Sequence, residues 1–138
     1  MNLSTKIRRG RCCVFHMHVH LVFVTKYRRR VFTKKTLARL FPLFAHITAK
    51  FQAELVQLNG ETDHVHLLIN YPPTCSISKL VNSLKGASSR VIRKWKDPYI
   101  QKALYGKSFW SPSYFAGSCG GASIDVIKKY IEEQNAPQ

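Results

Sequence analysis

Residues 14–25 form a run in which apolar side chains alternate with histidines, and this run constrains the fold more than any other feature of the chain. The apolar positions are Phe15, Met17, Val19, Leu21 and Phe23, and the positions between them include His16, His18 and His20. Because side chains of a β-strand point alternately to the two faces of a sheet, this period of two predicts a strand with one purely apolar face. Such a face has to be buried, so the run predicts a sheet that carries helices on one side.

The chain after this strand alternates between helical and strand-like patterns. Apolar residues at helical spacing predict one helix over about 33–51, which Pro42 kinks or breaks. They predict another over about 77–96, which Ser76 or Ser78 can cap. Strands are predicted over 53–59 and 63–71, with Asn59-Gly60 as the hairpin turn between them. We expect a loop over 97–108, an aromatic strand over Phe109–Phe115, a flexible glycine-rich stretch over 117–121, and a last helix over about 122–135.

This order of elements is β-α-β-β-α-β followed by one helix, which predicts an α+β protein with a ferredoxin-like antiparallel sheet and an additional C-terminal helix. In that arrangement the first and third strands are central neighbours, and the face without the two helices is left for the extra helix or for a ligand. The length of 138 residues predicts one domain over 1–138. We divide it into a basic arm (1–13), a ferredoxin-like core (14–116), a glycine-rich joint (117–121) and a C-terminal helix (122–138).

The charge of the chain indicates its class of partner. There are 22 Lys plus Arg against 7 Asp plus Glu, a formal net charge of +15. Nucleic acid is the commonest polyanion that neutralises such an excess. A ribosomal or chromatin protein fits this charge equally well, whereas an anionic membrane surface fits less well because no basic amphipathic stretch stands apart from the core pattern.

The four cysteines, Cys12, Cys13, Cys75 and Cys119, contain no C-x2-C pair, so a zinc ribbon is not expected. We expect reduced thiols in a cytoplasmic protein. The N-terminus is basic but lacks the apolar core of a signal peptide, and the apolar run Val14–Val24 is too short to span a bilayer.

Two histidines, His64 and His66, are the first candidates for chemistry. On a strand, residues i and i+2 point to the same side, so two imidazoles at that spacing can share a metal ion. The pattern is weak by itself, because His16-His18 and His18-His20 match it too. Since the first and third strands are expected to be neighbours, all five histidines can face one patch. The first-strand histidines then either contact the metal-binding histidines, without binding the ion themselves, or contact DNA.

Tyr130 and Gln134 are the second pair of candidates, because residues four apart on a helix share a face. An apolar stripe, Ile124, Ile127 and Ile131, lies beside them and can dock the helix on the sheet. A tyrosine on a docking helix is most often a packing residue, so position alone does not establish catalysis.

Three segments carry a resemblance to a known family. They are Asp63-His64-Val65-His66-Leu67-Leu68-Ile69, the stretch from Phe109 to Phe115, and the tail from Val126 to Gln134. Together with the opening run from His20 to Arg28, they resemble the small single-tyrosine HUH transposases of bacterial insertion sequences, the IS200-like transposases. The likeness follows the order and length of the family over nearly the whole chain, with no departure at the key positions.

The resemblance implies a role for each candidate. His64 and His66 match the metal-binding pair, Gln134 matches the third protein ligand, and Tyr130 matches the nucleophile. The implied activity is DNA transposition: metal-dependent cleavage and rejoining of single-stranded DNA, with Mg²⁺ or Mn²⁺, through a 5′-phosphotyrosine intermediate. The implied substrate carries DNA hairpins at the element's ends. The family also implies a homodimer whose last helix can pack on the partner subunit, so that active sites are shared.

Basic residues are the expected DNA contacts, although each is also an ordinary surface charge: Arg8, Arg9, Arg11, Lys26, Arg28, Arg29, Arg30, Arg90, Arg93, Lys94, Lys128 and Lys129. Four aromatic residues can either stack on unpaired bases or belong to the core: Tyr27, Trp95, Trp110 and Tyr114. No general base is identified.

Two alternatives remain. The first is a non-catalytic nucleic-acid binder with a ferredoxin-like sheet, which requires stacking aromatics on the open face, where the strands offer histidines. The second is a domesticated relative of the family that acts on chromosomal repeats.

Overall fold

Sheet and helices in the computed structural model follow the predicted order, and the structure describes residues 7–104, 108–118 and 124–134, without the side chains of 124–127. A short hairpin of β1 (Arg8–Arg9) and β2 (Val14–Phe15) comes first. The main elements are β3 (His18–Val24), α1 (Lys34–Ala49), β4 (Glu54–Gly60), β5 (His64–Asn70), α2 (Ile77–Lys94), α3 (Pro98–Ala103), β6 (Phe115–Ser118) and α4 (Ile124–Glu133).

The four main strands form one antiparallel sheet in the order β4-β5-β3-β6. The first and third strands of the ferredoxin-like pattern, β3 and β5, are therefore central neighbours, as predicted. Their register pairs Val22 with His66 and Val24 with His64. This register confirms the α+β fold and brings the histidines of two strands onto one face.

One face of the sheet carries the core. Val19, Leu21 and Phe23 of β3 are buried together with alternate residues of β5, and α1 and α2 cover them. Phe23 packs edge-on against Phe44 of α1, with ring centroids 6.4 Å apart. The apolar face predicted for the first strand is thus the helix-covered face.

The opposite face receives α4. Val22 and Val24 form a second, smaller cluster with the buried side chain of Ile131, and Phe115 and Tyr130 pack against it. The histidines occupy the part of this face nearer the β4–β5 edge, because β5 lies between β3 and β4.

Helix starts agree with the sequence more closely than helix interiors. Thr33 and Thr36 form a reciprocal cap at the start of α1, and the hydroxyl of Ser76 accepts a hydrogen bond from the backbone N–H of Lys79 at the start of α2. α1 continues through Pro42 without a break. Its buried residues, which include Leu40 and Phe44, hold it against the sheet and outweigh the local penalty of proline.

Four local predictions are wrong. The turn between β4 and β5 lies at 61–63 instead of Asn59-Gly60, because both residues stay in the strand ladder. A Cβ on Gly60 would meet the carbonyl oxygen of His64 and a methyl of Leu37, each at 2.9 Å, so the glycine serves close packing and not a turn.

The segment 97–108 contains the helix α3, since the carboxylate of Asp97 accepts hydrogen bonds from the N–H groups of Tyr99 and Ile100 and Pro98 occupies the first turn. The last strand begins at Phe115, and only Trp110 of the preceding aromatic segment makes an isolated bridge, to Thr25. Gly117 and Ser118, predicted as part of a joint, belong to that strand, and the rest of the joint, 119–121, lies outside the described residues.

Candidate active site

The two histidines of β5 lie side by side on the open face of the sheet. Their ring centroids are 4.9 Å apart, with the planes nearly perpendicular. Val65, between them in sequence, is fully buried on the helix-covered face. The strand alternation read from the sequence therefore places the pair as predicted, close enough for both imidazoles to approach one ion.

Each imidazole is held through its Nδ1 atom. His64 Nδ1 lies 2.7 Å from Oδ1 of Asp63, and His66 Nδ1 lies 3.1 Å from Nε2 of His20. Neither Nε2 atom of the pair has a hydrogen-bond partner among the described residues. The arrangement leaves one nitrogen of each ring available to a ligand, as in metal sites whose histidines are oriented by an outer group.

Burial, followed by the charges of His64 and His20, lowers the pKa of His66 from its ordinary value of 6.5 to about 4. Burial also lowers the pKa of His20. Both rings are therefore neutral near pH 7, which is the protonation state in which imidazole acts as a ligand.

Asp63 joins the histidine pair to an arginine. Its Oδ2 accepts a hydrogen bond from Arg28 Nε at 3.3 Å, and its Oδ1 faces His64. Burial raises the pKa of Asp63, but hydrogen bonding and charge from His64 and then Arg28 outweigh it, so the pKa lies below its ordinary value. The carboxylate is thus ionised and fixes both neighbours.

The backbone at this arginine and at the residue before it has an uncommon conformation. Tyr27 and Arg28 both adopt the left-handed conformation, with φ of 61° and 53°. Non-glycine residues rarely take it, and consecutive examples are found where surrounding structure holds them in place. Here the turn directs the Arg28 side chain to Asp63 and to the pocket described next.

A pocket of about 560 Å³ opens beside the histidines. Its walls come from three places in the chain: Arg28; Asn59, Gly60, Glu61, His64 and His66 of the β4–β5 hairpin; and Lys128, Ile131 and Glu132 of α4. The lining carries two cationic side chains, Arg28 and Lys128, and two carboxylates, Glu61 and Glu132, and the cationic side chains can contact an anionic ligand such as a phosphodiester.

Tyr130 and Gln134 do not line this pocket. The phenol oxygen of Tyr130 lies 2.5 Å from the hydroxyl of Ser113, and its ring packs on Phe115 at 5.8 Å between centroids. The amide oxygen of Gln134 accepts a hydrogen bond from the hydroxyl of Ser111 at 2.8 Å. Burial raises the pKa of Tyr130, and the hydrogen bond with Ser113 offsets part of that rise.

The reason lies in how α4 is rotated. Successive residues of an α-helix turn by about 100°, so the face with Tyr130 and Gln134 lies roughly 160° from the face with Lys128 and Glu132. Ile131, midway between the two faces, packs on β3. Within one chain, α4 therefore presents Lys128 and Glu132 to the histidines, and turns Tyr130 and Gln134 toward residues 111–115.

The segment that holds Tyr130 and Gln134 is itself anchored to the core. The Lys85 ammonium donates hydrogen bonds to the carbonyl oxygens of Ser111 (2.6 Å) and Ser113 (3.1 Å). Trp110 Nε1–H donates to the buried hydroxyl of Ser88 at 3.0 Å. Burial lowers the pKa of Lys85. These contacts fix the serines against which the α4 side chains rest.

Comparison with known proteins identifies the family of the chain. The family model described as "Transposase IS200 like" matches residues 13–134. The chain belongs to the IS200-like transposase family. It is 32% identical over 133 residues to the ISDra2 transposase TnpA of Deinococcus radiodurans, covering 96% of this chain and 94% of the relative. It is 26% identical over 118 residues to the IS200 transposase of Salmonella typhimurium, covering 83% and 76%.

Solved structures show the same fold. The crystal structure of a protein described as a transposase, from Deinococcus radiodurans R1, superposes with a TM-score of 0.81 at 32% identity, covering 94% of this chain and 98% of that one. A REP-associated tyrosine transposase bound to a REP hairpin superposes with a TM-score of 0.56 at 10% identity, covering 94% of this chain and 69% of that one. The second likeness concerns the fold alone.

The basic residues of this IS200-like transposase have different surroundings. Arg28 and Lys128 line the pocket, whereas Arg90 lines a separate groove of about 390 Å³ between α1 and α2. Arg8 is tied to Asn70 and to the carbonyl of Gln52, and Arg29 is buried with its guanidinium 5.3 Å from the ring centroid of Tyr27. Five others are exposed and two are half-buried: Arg9, Arg11, Arg30, Lys94 and Lys129, then Lys26 and Arg93.

The four aromatic candidates divide in the same way. Trp110 is buried in the core, and Tyr114 and Trp95 pack against it, with the Arg39 guanidinium 4.0 Å from the Trp95 ring centroid. The ring of Tyr27 is half-buried beside Lys26 and Arg29. Of the two roles that the sequence allowed, base stacking or core packing, the structure shows core packing for Trp95, Trp110 and Tyr114.

Several residues of the site were not selected from the sequence. Asp63 directly precedes His64, and that adjacency was the available signal. Ser111 and Ser113, Lys85 and Glu132 have no signal of their own, because their roles arise from contacts between distant segments.

Three further observations concern the described part of this transposase. No helix in it combines the length and apolar character needed to cross a membrane. No cluster of three or more histidine, cysteine, aspartate or glutamate side chains in it is placed to hold a metal ion. Cys12, Cys13 and Cys75 are free thiols, and Cys119 lies outside the described residues.

Proposed function

We propose that this transposase cleaves and rejoins single-stranded DNA at insertion-sequence ends, with Tyr130 as nucleophile and a divalent metal ion on His64 and His66. The observation that carries the proposal is the pocket itself. Two imidazoles, each oriented by a hydrogen bond at Nδ1, face a pocket that Arg28 and Lys128 help to line and against which the tyrosine-bearing helix is packed. Membership of a transposase family supplies DNA as the substrate class.

The donor set fits a divalent ion. His64 and His66 would hold it through their Nε2 atoms, with the amide oxygen of Gln134 as the third protein ligand. Imidazole nitrogen favours Mn²⁺ in affinity, whereas Mg²⁺ prefers sites richer in oxygen, so either ion is proposed. When bound, the ion polarises the scissile phosphate and neutralises charge that develops in the transition state.

Tyr130 performs the covalent step. Its phenol oxygen attacks phosphorus in line, a new P–O bond forms to the tyrosine, and the P–O3′ bond breaks. The phenolic proton is transferred, through solvent or a neighbouring group, to the departing 3′-oxygen. The products are a 5′-phosphotyrosine and a free 3′-hydroxyl, and a second 3′-hydroxyl can reverse the step and join strands without ATP.

The phenol has to leave its present position to do this. In that position burial raises its pKa, although the hydrogen bond with Ser113 offsets part of the rise, and the raised pKa disfavours the nucleophilic phenolate. In the pocket, a phenol placed nearer to Arg28 and Lys128 than to the carboxylates of Glu61 and Glu132 would be favoured in its ionised form, because a nearby positive charge stabilises an anion. Movement from the serines to the pocket would therefore both position the nucleophile and activate it.

A homodimer provides one route to that arrangement. In this arrangement α4 of the partner subunit docks on the histidine pocket with the face that carries the tyrosine. Tyr130 of the partner subunit and Gln134 of the partner subunit then reach His64 and His66 together, because the tyrosine and the glutamine share one face of the helix. The alternative is rotation of α4 by roughly 160° within one chain, which removes Ile131 from its buried place on Val22 and Val24.

Hairpin DNA is the proposed substrate, and the basic residues are its proposed contacts. The ISDra2 and IS200 relatives are insertion-sequence transposases by name, and the more distant structural neighbour was solved with a REP hairpin. Arg28 and Lys128 would bind the scissile region, and the exposed basic side chains would bind the remaining backbone. A cytoplasmic location belongs to the same proposal, because the DNA substrate lies there.

A covalent adduct on a denaturing gel tests the chemistry. Single-stranded hairpin DNA is incubated with Mn²⁺ or Mg²⁺ and the wild-type protein, Tyr130→Phe or Tyr99→Phe. Tyr99 is exposed on α3 and serves as the matched control. We expect an adduct with wild type and Tyr99→Phe, none with Tyr130→Phe, and none with a chelator. If wild type binds this DNA without forming an adduct, the non-catalytic binder replaces this proposal.

Mixing two inactive variants tests the shared site. Tyr130→Phe and His64→Ala chains are purified separately, combined under conditions that exchange subunits, and assayed with the same DNA. Each heterodimer with α4 exchanged between subunits regains one intact site, and about half of all dimers in an equimolar mixture are heterodimers, so up to about half of all dimers should cleave. Activity that stays absent after demonstrated exchange shows that each site is built within one chain.

A further inference from the structure

The histidines of β3 have no role in the proposed reaction, yet one of them touches the pair on β5. His20 Nε2 lies 3.1 Å from His66 Nδ1, and the two rings are tilted by 33° with centroids 5.3 Å apart. The strand register explains the contact. His20 pairs with Leu68 and Val22 pairs with His66, so the two histidines are diagonal neighbours on one face of adjacent strands.

Metal binding at His66 would determine which of the two imidazoles donates this hydrogen bond. A hydrogen bond between two imidazoles needs one N–H donor and one bare nitrogen. If His66 uses Nε2 to hold an ion, its proton has to be on Nδ1, so His66 donates and His20 Nε2 accepts. His20 then carries its own proton on Nδ1.

His64, the other histidine on β5, is also hydrogen-bonded through Nδ1. His64 Nδ1 faces the Asp63 carboxylate at 2.7 Å, which makes Nδ1 the protonated nitrogen of that ring as well. Each histidine of the pair thus has its own acceptor: a carboxylate for His64, and an imidazole for His66.

We propose that His20 is a positioning residue, which accepts a hydrogen bond from Nδ1 of His66 and thereby holds that ring in the tautomer and orientation that leave Nε2 free for the metal ion. This inference rests on the proposed metal site at His64 and His66. It separates His20 from His16 and His18, whose rings contact each other at 4.8 Å between centroids.

A matched pair of variants isolates the acceptor. His20→Gln keeps an oxygen near the place of Nε2, whereas His20→Leu has a similar volume and no acceptor. His64→Leu, which removes a proposed ligand, is the reference for loss of the site. Amide NMR spectra establish that each variant is folded before it is compared.

Two measurements are made on each protein. The first is the tautomer of His66 in metal-free protein, from long-range ¹H–¹⁵N spectra of histidine-labelled samples. The second is the affinity for Mn²⁺ alone, from titration followed by electron paramagnetic resonance. We expect the Nδ1–H tautomer in wild type and His20→Gln, and a shift toward Nε2–H in His20→Leu. Mn²⁺ affinity should fall about 10- to 100-fold in His20→Leu and recover most of that loss in His20→Gln.

The outcomes separate this inference from the function on which it rests. If wild type and His64→Leu bind Mn²⁺ equally weakly, the proposed metal site fails, and the tautomer in metal-free protein still decides whether His20 orients His66. If His20→Leu keeps the Nδ1–H tautomer and wild-type Mn²⁺ affinity, the positioning role is overturned. If His20→Gln loses binding as fully as His64→Leu, His20 is itself a ligand, which overturns it too.

Discussion

The stability of the metal-free protein should fall as the pH decreases from 7 to 5, and His66 should account for a measurable part of that fall. Its pKa is lowered from 6.5 to about 4 by burial and by the neighbouring histidines His64 and His20. Between those two values the unfolded chain binds a proton at this ring and the folded protein does not. Stability is therefore present above pH 6.5 and is lost as the pH falls toward 4.

The size of the effect follows from that difference. Each tenfold change in proton affinity corresponds to about 1.4 kcal/mol, so complete displacement of the proton equilibrium is worth about 3 kcal/mol. The ring keeps partial access to solvent, which screens the effect. Because pH 5 lies inside the window, we expect a contribution of about 1 kcal/mol between pH 7 and pH 5.

Urea unfolding in the presence of a chelator measures this contribution. Free energies of unfolding are compared at pH 7 and pH 5 for wild type, His66→Gln and His46→Gln, whose ring is exposed on α1 and serves as the matched control. The pH-dependent loss should be smaller in His66→Gln by about 1 kcal/mol and unchanged in His46→Gln. Equal losses in all three proteins would show that the His66 ring is not held neutral by its surroundings.

Three further predictions concern packing, the orientation of His64 and DNA binding. Ser88→Ala leaves the buried Trp110 N–H without an acceptor and should lower the free energy of unfolding by about 1–3 kcal/mol in urea, whereas the half-buried Ser89→Ala should change it by less than about 0.5 kcal/mol. Asp63→Asn removes the carboxylate behind His64 and should weaken Mn²⁺ binding about 10- to 100-fold in a titration; unchanged affinity would exclude that orienting role. Arg28→Gln should reduce the slope of log affinity for single-stranded hairpin DNA against log salt by about 0.7, the value for one lost phosphate contact; an unchanged slope would remove Arg28 from the DNA interface.

Periodicity predicted the parts of the fold in which burial follows sequence spacing. The alternation around Leu21 and Phe23 predicted a strand with a helix-covered face, and the same rule placed His64 and His66 on the opposite face. The failures are instructive because Asn59-Gly60 and Asp97-Pro98 both carry turn signals. Gly60 is used for close packing in a strand and Asp97 for capping a helix, and neither use can be distinguished locally from a turn.

The candidate site was predicted as a set of residues but not as an arrangement. Tyr130 and Gln134 were expected to share a face, which their spacing requires, and their contacts with Ser113 and Ser111 agree with it. Where that face points depends on Ile131, which docks between β3 residues and sets the rotation of the whole helix.

By itself, the sequence determined the order of elements, the buried face of each strand, the basic character of the protein and the imidazole pair, because these depend on spacings of two to four residues or on composition. Only the tertiary structure decided that His20 contacts His66, that Asp63 connects His64 to Arg28, and that α4 turns Lys128 and Glu132 toward the pocket. Such contacts join residues tens of positions apart, and their geometry is set by strand register and helix docking, which no local spacing encodes.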